Sequence, residues 1–140
     1  MKRRIFLAGL LLPTIAQAHS FRHGNIAIGH LWALPSQQND AQVFFPLANR
    51  GTEHDELVAA RSEICTTTEL RQNNRYDDAP LTSIALDPKK PVPMRPTARH
   101  LRLVGLKRPL LIGDHFKIIL DFLNSGEVEI DVIVEPAAGD

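Results

Sequence analysis

The feature that most restricts the fold of this 140-residue chain is its punctuation. Short runs of β-branched and apolar residues are each closed by turn residues, and no stretch carries the 3.6-residue apolar period of an amphipathic helix. The runs fall at 25–32, 42–48, 56–62, 66–71, 82–86, 99–104, 115–122 and 127–134. That spacing is the pattern of an all-β sandwich. In Val128-Glu129-Ile130-Asp131-Val132 apolar and polar residues alternate, which buries one face of a strand and wets the other. Asn124-Ser125-Gly126 joins this strand to its predecessor as a hairpin. Asn49-Arg50-Gly51 is a second turn signal, and both place a glycine where φ can turn positive. Prolines 88, 91, 93 and 96 make the segment between the fifth and sixth runs a rigid connection, which no central strand tolerates. Residues 72–80 read as a polar loop.

The length fits one domain, and 44% apolar residues suffice for one core. The N-terminus is set apart from the rest. Lys2-Arg3-Arg4, the apolar run Ile5 to Leu12, Pro13 and Ala16-Gln17-Ala18 have the order of a secretory signal peptide with an A-x-A cleavage site. The apolar run is shorter than the ~20 residues that span a bilayer. The expected division is a signal peptide at 1–18 and a single domain at 19–140, exported to the periplasm, with no membrane span after cleavage. No cysteine precedes the cut, and Cys65 is the only cysteine, which excludes a disulfide within the chain. The net charge is zero, and without the three N-terminal cations it is 13 bases against 16 acids, so no nucleic-acid footprint is expected. No nucleophile elbow, HExxH or P-loop is present, and the chain does not read as an enzyme.

Several segments resemble the periplasmic copper chaperones called PCu(A)C. They are Ile28-Gly29-His30-Leu31-Trp32-Ala33, Asn49-Arg50-Gly51 followed by Asp55-Glu56-Leu57-Val58-Ala59-Ala60, the pair Glu69-Leu70, Gly105-Leu106-Lys107-Arg108-Pro109-Leu110, and Gly113-Asp114 with the closing strand pair. The resemblance implies a cupredoxin-like Greek-key β-sandwich or barrel. It also implies a Cu(I) site built from a His, a Met about a dozen residues later and a His-x-Met, because thioether and imidazole suit that soft ion. In that family the copper is held in the periplasm or handed to an exported copper-site assembly protein or oxidase subunit. This chain departs from the pattern at the ligands. Arg71 stands after Glu69-Leu70, the following loop has no methionine, and the His-x-Met position reads His100-Leu101-Arg102. One of the four ligands, His100, remains. Strand alternation places His100 and Arg102 on one wet face, with Leu101 and Leu103 inward.

Other histidines offer a Cu(II) alternative. Cleavage would make His19 the first residue, whose amine and imidazole together chelate, and His23 and His30 could complete such a site. The metal-site candidates are therefore His100, His19, His23 and His30, for copper as Cu(I) or Cu(II). His54 reads as a turn residue, His115 as an exposed strand residue, Met94 as packing and Cys65 as a buried thiol. A second function also fits. Arg71, Arg95, Arg99 and Arg102 would form a basic face, paired with Asp77 and Asp78 or free to dock another exported protein, making the chain a non-metal binding module.

Overall fold

The structure is a computed structural model and describes residues 21–137. The expected signal segment and His19 lie outside the described residues. Within them the chain is all-β and without helix, as expected. Its strands are β1 (Phe21–His23), β2 (Ile26–Ile28), β3 (Trp32–Ala33), β4 (Asp40–Phe44), β5 (Leu47–Asn49), β6 (Asp55–Arg61), β7 (Cys65–Arg71), β8 (Ile84–Leu86), β9 (His100–Leu106), β10 (His115–Phe122) and β11 (Gly126–Val134). A small sheet has the order β1-β2-β5. The large one runs β7-β9-β4-β3-β11-β10-β6-β8, antiparallel except where β3 meets β11. Bridges between Leu47 and Val92 and between Asn49 and Pro88 tie the small sheet to the proline segment that follows β8, the edge strand of the large sheet. The result is a cupredoxin-like sandwich that nearly closes into a barrel.

Two expected runs are each broken in two, for one shared reason. Residues 25–32 become β2 and β3, and 42–48 become β4 and β5. At the break Gly29 N donates to Pro46 O at 2.9 Å. The backbones are so close that a Cβ on Gly29 would lie 2.3 Å from Pro46 Cγ. Pro46 has no N–H for a ladder, so both strands stop here and the chain changes sheet. Local alternation cannot reveal such a corner.

The hairpin β10–β11 pairs from His115↔Ile133 to Phe122↔Gly126, with Gly126 at φ 79° as its turn requires. Gly51 is small for a different reason than expected. Its φ is not positive, but a Cβ there would sit 2.8 Å from the Asn25 amide. Alternate residues of β9, β10 and β11 fill the core, with Leu101, Leu103, Ile118, Leu120 and Val132 fully buried. Cys65 is a buried free thiol and Met94 packs against the core. The proline segment forms isolated bridges rather than a strand.

Candidate functional site

Antiparallel pairing of β7 with β9 sets Arg71 directly opposite His100, and β4 sets Gln42 opposite Arg102. Residues 71, 100 and 102 therefore share one face at one end of the large sheet, as alternation requires. That face is not wet at His100, whose exposure is 0%. The correction comes from the loop after β7. Asn73 Oδ1 accepts from Arg75 N at 2.8 Å, and Leu81 N returns to Leu70 O at 2.8 Å, which folds residues 72–80 back over the sheet. Arg71 fastens this loop from beneath: its Nη2 donates to the carbonyls of Arg75 and Asp78, each at 2.9 Å. The loop then lays Tyr76 on His100.

His100 is held in one protonation form by its neighbours. Its Nδ1 lies 2.7 Å from the Ala98 carbonyl, which can only accept, so Nδ1 carries the proton. Nε2 then offers a lone pair, met by the Tyr76 hydroxyl at 2.8 Å and the Gln42 amide at 3.2 Å. Burial pushes the His100 pKa below its ordinary value. The Ala98 bond opposes this shift, and the Arg71 and Arg102 guanidiniums add to it. The ring is thus neutral, with the tautomer fixed by a backbone carbonyl, which is the state an imidazole takes when it ligates a metal.

The two arginines close the site rather than leaving it charged. Arg102 Nε donates to Asp40 at 2.9 Å and its Nη1 reaches Glu69 at 3.4 Å. Arg71 reaches the same Glu69 carboxylate at 3.4 Å, and its side chain is only 3% exposed. Both guanidiniums lie against the Tyr76 ring, Arg102 at 4.0 Å and Arg71 at 5.1 Å from its centroid. Asp40 and Glu69, not Asp77 and Asp78, are the acids that neutralise them. Asp78 pairs with Arg75, and Arg71 uses only its backbone carbonyl. The expected docking face of free arginines is therefore not there at Arg71 and Arg102.

The remaining candidates do not converge. His23 Nε2 lies 2.8 Å from the Ser125 carbonyl, whereas His30 Nε2 lies 3.1 Å from Glu135 Oε1. Ser125 and Glu135 flank the nine-residue β11 at its two ends, so the two rings are engaged at opposite ends of that strand. The ring beside His100 is Phe44, at 6.1 Å between centroids, which in turn meets Trp32 at 4.7 Å, so His100 is packed among aromatic rings and not against His30. Among the described residues no three His, Cys, Asp or Glu side chains gather as a metal cage. His54 is exposed and bonded to Asp87 and Glu56, and His115 is exposed and bonded to Asp131. Sequence reasoning missed Tyr76, Gln42, Asp40 and Glu69. Two weak signals marked them: the only tyrosine lies in an otherwise polar loop, and Gln42 interrupts an apolar strand between Ala41 and Val43.

The class this architecture defines is the PCuAC domain. The apo PCuAC domain from PmoF1 matches with a TM-score of 0.77 at 22% identity, covering 85% of this chain and 100% of that domain. The copper-bound PCuAC domain from PmoF2 matches with 0.75 at 26%, covering 85% and 99%. The Cu(I) form of DR1885 from Deinococcus radiodurans matches with 0.63 at 20%, covering 77% and 75%. A family model described as "lipoprotein LpqE-like" matches residues 26–134, and the chain belongs to that family. No curated protein matches the sequence. Among the described residues no helix is long and apolar enough to cross a membrane.

Proposed function

We propose that the chain is an exported copper-handling protein of the PCuAC chaperone type, with its domain at 19–140 behind a signal peptide at 1–18. It holds copper in the periplasm and passes it by ligand exchange to an exported copper-site assembly protein or an oxidase subunit. The observation that carries this reading is His100: a neutral imidazole with its Nε2 lone pair set toward the loop side, on a fold shared with a copper-bound domain at 26% identity. Tyr76 covers that lone pair, so uptake requires residues 72–80 to lift. With Arg71 and Arg102 where soft donors would stand, one imidazole is all this face supplies. Cu(I) is then held weakly until the receiving protein adds its own ligands. Chelation at His19 and His23 is the Cu(II) alternative.

The non-metal module is the second reading: the sealed Arg71–Tyr76–Arg102 stack stands against copper at His100, although it leaves neither arginine free to dock a partner. One titration separates the two. Protein beginning at His19 is titrated with Cu(I) and Cu(II), as is, after deletion of residues 19–23, and as His100→Ala. The chaperone reading expects affinity above that of an unstructured histidine-containing peptide, lost in His100→Ala. Loss only on deletion moves the metal to the N-terminus. No binding in either oxidation state leaves the module.

A further inference from the structure

The opposite end of β9 carries a second surface. His100 opens that seven-residue strand and Lys107 follows its last residue, so roughly 20 Å separates the two regions. Here Leu111 and Ile112 are 54% and 64% exposed, side by side in a turn. The turn is rigid. Leu111 N donates to Asp114 Oδ2 at 2.9 Å, Gly113 N to Val134 O at 2.9 Å, and Leu110 N to Ser36 O at 2.8 Å, while Gly113 takes φ 93°. Two apolar side chains are thus presented to water on a backbone that has nothing left to order. Nothing in the packing of the domain requires them to be there.

Beside this turn, and joined to it through Arg108, lies a cleft of about 570 Å³. Ile64, Phe116 and Ile119 provide apolar lining. Arg61, Lys107, Arg108 and Lys117 outnumber the two acids of the lining, Glu63 and Glu129. A locally cationic cleft stands out in a domain whose acids exceed its bases once the leader is set aside. Three of these cations are held by surface pairs: Arg61 with Glu127, Arg108 with Asp114 and Lys117 with Asp131. Such exposed pairs exchange readily for a partner's carboxylates.

We infer that this cleft and the Leu111–Ile112 turn together dock an acidic, extended segment of another exported protein, whose carboxylates meet the cationic rim and whose apolar side chains enter the cleft and cover the turn. The occupant follows from charge and shape. A second copy placed symmetrically would set the same cations against each other. A flat anionic bilayer cannot fill a concave cleft. A carboxylate-bearing extended chain can enter it and set its carboxylates on the lysines and arginines of the lining. The inference does not depend on copper, because the surface lies at the other end of β9 from His100.

The test uses a labelled peptide alternating Asp and Leu, a Lys–Leu peptide as control, and vesicles of phosphatidylcholine with phosphatidylglycerol. Leu111→Ser/Ile112→Ser and Lys107→Glu/Lys117→Glu change exposed side chains only, and unfolding curves matching the unsubstituted protein verify that they fold. The acidic peptide is expected to bind, to lose about tenfold in affinity or more in each double variant, and to weaken as salt rises. The basic peptide is expected not to bind. The inference is overturned if the acidic peptide fails to bind, or binds both variants as tightly as the unsubstituted protein. It is equally overturned if vesicles bind and the peptide does not, or if sedimentation shows a dimer that Leu111→Ser/Ile112→Ser abolishes.

Discussion

Replacing Tyr76 by Phe removes one oxygen and leaves the ring between its two guanidiniums. In metal-free protein two hydrogen bonds are lost: the hydroxyl's donation to His100 Nε2 at 2.8 Å and its acceptance from Gln42 at 2.9 Å. The Gln42 amide keeps a partner in the Pro96 carbonyl at 3.0 Å. His100 Nε2 keeps only the longer Gln42 contact at 3.2 Å, inside a residue with no exposure. One net hydrogen bond plus a partly unsatisfied buried acceptor amounts to about 2 kcal/mol. With a urea m-value of ~2 kcal/mol/M, the unfolding midpoint should fall by roughly 1 M with the slope unchanged. The lost donor served only the neutral ring, so the His100 pKa, followed by NMR, should rise toward its ordinary value. The stability loss should then be greater at pH 8 than at pH 5. A midpoint within experimental error of the unsubstituted protein, with the His100 titration unmoved, would refute the seating of Tyr76 on His100 and the closed site built on it.

Arg71→His together with Arg102→Met should raise Cu(I) affinity by about a hundredfold or more in a chelator competition. The pair frees the loop that Arg71 fastens, removes both cations beside His100 and supplies soft donors on its face; unchanged affinity would mean the scaffold no longer brings these positions together. Stability should peak near pH 6.5, because two histidines act in opposite directions there. His100 has a lowered pKa, so its contribution is whole above 6.5 and declines as pH falls below it; His54, raised by its bonds to Glu56 and Asp87, contributes fully below 6.5 and loses this as pH rises. Denaturant midpoints across pH should lose the acid-side decline in His100→Gln and the alkaline-side decline in His54→Gln. Gly29→Ala should cost about 2–3 kcal/mol in chemical unfolding, since its Cβ would meet Pro46 Cγ at 2.3 Å; a neutral substitution would show that the β2–β5 corner relaxes freely.

The sequence by itself determined what depends on neighbours along the chain. Alternation placed Leu101 and Leu103 inward, Asn124-Ser125-Gly126 marked the hairpin, and the prolines at 88–96 excluded a strand. Through the family resemblance it also put Arg71 and Arg102 where copper ligands were expected, because a position holds an arginine or a histidine whatever the fold. Contacts between distant segments were decided only by the tertiary structure. Pro46 crossing Gly29 splits two strands that each look continuous. Alternation correctly put His100 and Arg102 on one face of β9, yet that face is covered by a loop from beyond β7, and a strand pattern carries no record of what lies above it. Strand registers and loop closure bring Tyr76, Gln42, Asp40 and Glu69 around His100 from across the chain. They also engage His23 and His30 at opposite ends of β11, although only six residues lie between them in sequence.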